Sequence, residues 1–216
     1  VPGQAAAALI QFYVEAADSI GAVSQHPPGG ANSRAMCMVQ DGQAAPNSPA
    51  KFRLIMTAAD AASMHANVNC LSNGFLGSTI IADEREIYYD TGVRLKGSYV
   101  GRNVPRVGFS VRFQPDKPFR GIHDKVAVDR SQHVAVAQGE IVAKHIAGKA
   151  GGIPNTYDDI GRFVHVIQSY NSSCQLRLAG FEDDYLDSSF PDGSDGHMYE
   201  YEVLRWTTAT SDNTVD

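Results

Sequence analysis

Cysteine is scarce in this 216-residue chain. Cys37, Cys70 and Cys174 are odd in number, widely spaced and form no CxxC pair, which excludes a disulfide framework and a zinc ribbon and leaves ordinary buried thiols as the reading. Metal templates are missing as well, since the seven histidines form no HExxH and no i, i+4 pair on one predicted helix. No apolar run approaches the roughly 18 residues that span a bilayer, and the opening VPGQAAAALIQFYV has neither a basic stretch nor a cleavage site. The GxxxxGK[ST] spacing of a P-loop is absent from GKAGG at 148–152, GxGxxG occurs nowhere, and no Gly-x-Ser-x-Gly marks a nucleophile elbow. Conventional nucleotide folds and serine hydrolases are thereby excluded on motif grounds.

What is present is a globular composition, 43% hydrophobic with a formal charge of −6. A chain starting on Val and stopping on TSDNTVD reads as an internal piece of a longer multidomain protein. Residues Ala8 to Ser19 alternate towards a strand and meet a turn at Asp18, which predicts a β-hairpin. Two strands bury no face alone, so residues 1–34 are expected to be the end of a β-sandwich module. The Pro, Gly and Asn-rich loops at 26–33 and 41–50 place a linker at 35–50.

From residue 51 the texture changes. FRLIMT (52–57) is strand-like, and Thr57 is placed to cap a helix through TAADAASMHA. STIIADEREIYYDTGVRLKG (78–97) predicts two strands joined at Asp83-Glu84, and VGFSVRF (107–113) alternates so that Arg112 faces away from the core. GEIVAKHIAGKAGG (139–152) predicts a helix with Ile141, Val142, Ile146 and Ala150 on one apolar face. Further strands are expected at 162–168, 174–180 and 197–206, with a surface helix starting at Glu182. Short connections make the class α+β with mostly antiparallel sheet and a few helices.

Charge is unevenly distributed. Between Arg94 and Arg130 stand nine basic residues against three acidic ones, whereas 182–202 holds eight acidic residues and no Lys or Arg. On a strand, residues two apart share a face, so Arg94 and Lys96 project side by side while Gly97-Ser98 lets the backbone turn close to what they hold. A guanidinium fork, a lysine point charge and turn amides suit a phosphate group. The competing reading is the solvated polar face of a half-buried strand. The basic stretch interleaves few aromatics, so nucleic acid is not the expected partner. The acidic run FEDDYLDSSFPDGSDG lacks the ligand spacing of an EF-hand and reads as a surface helix and turn.

The ordered blocks YYDTGVRLKGS, VGFSVRF, FRGIHDKVAVDRS, AGGIPNTYDD and GSDGHMYEYEVL resemble the front part of the CotH kinase family, named for spore coat protein H, over about residues 51–216. The segment QFYVEAADSIGAVS resembles the last strands of the immunoglobulin-like or fibronectin-like modules that precede such domains in large bacterial surface or secreted proteins. The resemblance implies an extracellular or cell-envelope location and an atypical kinase fold. It also implies ATP with Mg or another divalent cation, and phosphoryl transfer to Ser or Thr of a protein substrate. It makes Arg94, Lys96, Gly97 and Ser98 candidates for contacting nucleotide phosphates, with Arg112 as a further cation and Glu202 as a carboxylate orienting a lysine or metal. The family has a lysine where this chain has Glu200. The family's catalytic acids are expected beyond residue 216, which leaves this piece inactive by itself and no catalytic residue assigned. A non-catalytic surface, coat or adhesion module gripping an anionic partner is the alternative.

Overall fold

The structure is a computed structural model describing residues 3–39, 51–97, 99–102, 107–129, 138–151, 157–165, 173–179 and 183–195. Its largest element is a closed barrel of seven strands. These are β5 (Lys51–Ile55), β6 (Leu76–Ala82), β7 (Glu86–Lys96), β8 (Gly108–Arg112), β9 (Lys125–Asp129), β10 (Tyr157–His165) and β11 (Ser173–Ala179). The order around the barrel is β10-β11-β9-β8-β7-β6-β5, and β5 meets β10 in parallel to close it. All other neighbours in the barrel run antiparallel. The α+β class with mostly antiparallel sheet therefore holds, with barrel closure as an addition that the local patterns did not contain.

Alternation of period two builds the core. Leu54, Ile80, Val93, Val111 and Val126 are completely buried inside the barrel. The β6–β7 connection spans residues 83–85, with Asp83 and Glu84 both at positive φ (53° and 55°) and the Arg85 amide donating to Ala82 O at 3.0 Å, so that Ala82 pairs with Glu86 across the turn. One barrel end is filled by aromatics. Phe113 and Phe119, from the 113–124 segment, contact Tyr88 at centroid distances of 5.0 and 5.5 Å, and Phe119 meets Phe52 at 5.9 Å. The other end is covered by α1 (Ala58–Met64), whose Ala61 and Met64 join the same core cluster.

Thr57 caps α1 as expected, accepting a hydrogen bond from the Asp60 amide at 3.1 Å. Helix α3 (Gln138–Gly151) also lies where the sequence places it, but its expected apolar face is not buried: Val142 and Ile146 are 54% and 59% exposed. Spacing identified the helix without identifying a surface to cover it. Helix α4 (Asp183–Ser189) and the turn at 193–195 match the expected surface helix and turn, while the strand expected at 197–206 lies outside the described residues.

At the N-terminus, β1 (Leu9–Gln11) pairs with β4 (Met36–Met38), and β2 (Val14–Ala17) forms a hairpin with β3 (Val23–His26). The single hairpin expected from Ala8–Ser19 is thus divided between two pairings. Asp18 closes the β2–β3 turn by accepting from the amides of Ile20 and Ala22, each at 2.9 Å. Of the segment expected as a linker, Ala35 and Met36 are buried and residues 40–50 lie outside the described residues. Cys70 is buried and Cys37 half-buried, and neither is in a disulfide.

The 33–38 segment docks on the outside of β6 and β7. The Arg34 amide donates to Asp90 Oδ1 at 2.8 Å, and the Met36 amide donates to Thr79 Oγ1 at 3.0 Å. Asp90 stands at positive φ (54°) where two residues of β7 face one of β6, a bulge that aims its carboxylate at the docked segment. The Arg34 guanidinium meets Asp60 at 2.7 Å, and Thr57 donates to the same carboxylate at 2.8 Å. Burial alone would raise the Asp60 carboxyl, but the Arg34 and Thr57 hydrogen bonds and the Arg34 charge hold it below its ordinary value.

Because the folded-state value is depressed, this contribution is present above the unfolded carboxylate value of about 3.9 and is lost as pH falls through the folded value. Asp60→Asn should lower unfolding free energy by about 1 kcal/mol at neutral pH and flatten the acid limb of a stability-against-pH profile. Parallel acid limbs in the two proteins would exclude this role for the Arg34–Asp60 pair.

Candidate anion-binding face

The register of β7 against β8 sets Arg94 opposite Ser110, Lys96 opposite Gly108 and Gly92 opposite Arg112. Val93 and Leu95 are buried in the core, so Gly92, Arg94 and Lys96 share the outer face. Strand β8 continues the pattern with Phe109 and Val111 inside and Arg112 exposed. On β9, Val126 and Val128 face inward, which turns Lys125 and Asp129 to the same outside, and Lys125 stands opposite Arg112. The structure therefore brings Arg94, Lys96 and Arg112 to one face. Ser98 and Glu202 lie outside the described residues.

Lys96 does not project freely. Its Nζ meets Asp129 Oδ2 at 2.9 Å. The geometry needs Gly108: Lys96 pairs with Gly108 on β8, the residue before Phe109, which itself pairs with Val128 on β9. With no side chain on that middle strand position, lysine can reach across β8 to the carboxylate. The two side chains are 39% and 31% exposed, so water and a ligand can still approach the pair, and its own stabilising value is at most about 1 kcal/mol. Asp129 was not singled out from the sequence. The available signal was its alternation with Val126 and Val128 in KVAVD, which assigns it to the polar face of that strand.

Arg94 is held differently. Its Nη1 donates to Asn73 Oδ1 at 2.7 Å, and its guanidinium lies 5.5 Å from the Phe75 ring centre. The Arg112 guanidinium lies 4.8 Å from that same ring. Phe75 rests against Gly92, where an added Cβ would come within 3.1 Å of the ring. Arg94 and Arg112, on adjacent strands, are thus joined through an aromatic ring from the loop before β6, a partner that strand alternation cannot reveal.

Behind this face Gly97 adopts φ +98°, a backbone that L side chains rarely take. Its carbonyl accepts from Nε of the buried Arg102, on the short helix α2 (Tyr99–Arg102). Arg102 also donates to Ser72 O at 3.1 Å and to Asn73 Oδ1 at 2.7 Å, which ties the Gly97 turn to the 72–75 loop. Among the described residues no group of three or more His, Cys, Asp or Glu side chains is arranged to hold a metal ion, and no helix is long and apolar enough to cross a membrane. What the face offers chemically is electrostatic capture of an anion by positioned cations beside a glycine turn.

Gly97→Ala should lower stability by about 1–3 kcal/mol through strain at this backbone position, read by denaturant unfolding. An unchanged midpoint would show that the turn does not hold its positive φ. No protein-family model matches the chain, and no curated protein matches it either.

Proposed function

We propose that residues 51–216 act as the nucleotide-binding front part of a CotH-type protein kinase, with Lys96 gripping the phosphates of ATP. The observation that carries this reading is the Lys96–Asp129 pair at 2.9 Å beside the positive-φ Gly97. A phosphate-binding lysine in a kinase must be held in place by a carboxylate, because phosphoryl transfer depends on positioning and on neutralising charge. A lysine held by one carboxylate keeps further N–H donors for a second acceptor.

In this reading Asp129 fills the orienting role for which the family resemblance suggested Glu202. Arg94 and Arg112 raise the positive potential of the same face, and the Gly97 turn lets phosphate oxygens come close to the backbone. The divalent cation implied by the resemblance would neutralise phosphate charge during transfer to a protein Ser or Thr. The residues described here bind and orient the phosphates and hold no proton for that step.

Calorimetric titration with Mg-ATP tests the assignment. Lys96→Ala should weaken binding at least tenfold, and Asp129→Asn should weaken it severalfold by releasing the lysine. Equal affinity in wild type and Lys96→Ala would remove the phosphate role. Tighter binding in Asp129→Asn would mean that the carboxylate competes with the nucleotide instead of presenting the lysine to it.

A further inference from the structure

A cavity of about 190 Å³ opens beside Arg94, between the end of α1, the loop before β6 and the end of β7. Met64, Leu76, Leu95 and the Phe75 ring form its apolar walls. Ser63, Asn69, Ser72 and Arg94 form the polar side, and none of its lining residues is acidic. Lys96 does not line it and is engaged with Asp129 instead. The outer face of β7 thus serves two separate places through two cations that are neighbours in sequence.

The polar side is built rather than incidental. A guanidinium has five N–H donors, and the bond from Arg94 Nη1 to Asn73 leaves others for a ligand. Asn73 Oδ1 accepts from both Arg94 and Arg102, which sets a second guanidinium behind the first. The Asn69 side chain donates to Ser63 O at 2.9 Å, fixing the loop against the end of α1. Ser72 Oγ accepts from the Gly74 amide at 3.3 Å, so its hydroxyl hydrogen can be given to an acceptor. Positive charge with no nearby lining carboxylate selects an anion, and the planar guanidinium fork matches a carboxylate.

We infer that this cavity binds a small organic monocarboxylate, its carboxylate on Arg94 and its short apolar body against Met64, Leu76 and Leu95. The volume is that of about six waters at about 30 Å³ each and lies below the roughly 300 Å³ at which pockets for drug-sized ligands begin. That size limits the body to a few carbons. Inorganic phosphate would leave the apolar walls unused, and an amine would face Arg94. This inference stands apart from the kinase reading, which rests on Lys96 and Asp129.

Titration of the protein with acetate, propionate and butyrate, followed by amide chemical shifts, tests it. Binding should saturate, tighten about fourfold with each added methylene, and shift residues 63–76 and 94–95. Arg94→Gln should weaken butyrate at least tenfold. Ser63→Tyr, a change at an exposed position on the rim, should block it without touching the core. Lys96→Ala should leave butyrate affinity unchanged even where it abolishes Mg-ATP binding. The inference is overturned by absent saturation, by affinity independent of chain length, by butylamine or inorganic phosphate binding as well as butyrate, or by Lys96→Ala weakening butyrate as much as Arg94→Gln.

Discussion

Closing seven strands into a barrel forces each strand to divide its side chains between a filled interior and an outer face, and the placement of Arg94, Lys96 and Arg112 follows from that division. Val93 and Leu95 must fill the core, so Arg94 and Lys96 must leave it. The same rule on β8 sends Arg112 outward, and on β9 it sends Asp129 outward to where Lys96 reaches it. A one-residue slip of β7 would bury two cations among aliphatic side chains, at a cost far beyond what any surface contact could repay. Register is therefore what makes the cationic face, and the apolar core is what makes the register.

The barrel also explains why the N-terminal segment docks where it does. A tight hairpin at Asp83-Glu84 starts β6 and β7 in register, and a bulge at Asp90 then turns one carboxylate out of the ladder. That carboxylate, with Thr79, supplies partners for the backbone of Arg34 and Met36. The Arg34 side chain reaches onward to Asp60 at the start of α1, and α1 covers the barrel end near which the candidate site lies. Through this chain of contacts, residues before β5 are mechanically connected to the walls of the cavity beside Arg94.

Much of this was legible in the sequence, and the missing parts share a physical cause. Alternation marked β6, β7 and β8, the Asp83-Glu84 turn joined the first two, and Thr57 announced α1, because each of these signals is local. Pairings between distant strands are not local. Nothing in FRLIMT indicates that it will lie parallel to β10, and nothing near Leu9 indicates that Met36–Met38 will pair with it. The site shows the same limit. Arg94 and Lys96 could be assigned to one face from spacing, and Arg112 to the outside of its own strand. Their partners, Asn73, Phe75 and Asp129, come from a loop and from a strand two positions away, and only the assembled barrel puts them there. For α3, spacing described a helix whose apolar side chains remain largely exposed in the described structure.

Two cations spaced for one ligand in the sequence are given different surroundings by the fold. Arg94 is set against an aromatic ring and a small cavity, whereas Lys96 is set against a carboxylate at a glycine turn. The claim on which the functional account rests is that Asp129 presents Lys96 to phosphate. A double-mutant cycle on Mg-ATP affinity with Lys96→Ala, Asp129→Ala and the double variant measures that coupling directly. The account predicts that the double variant binds no more weakly than Lys96→Ala, a coupling of about 0.5–3 kcal/mol. Additive losses, with Asp129→Ala costing the same whether or not the lysine is present, would contradict it.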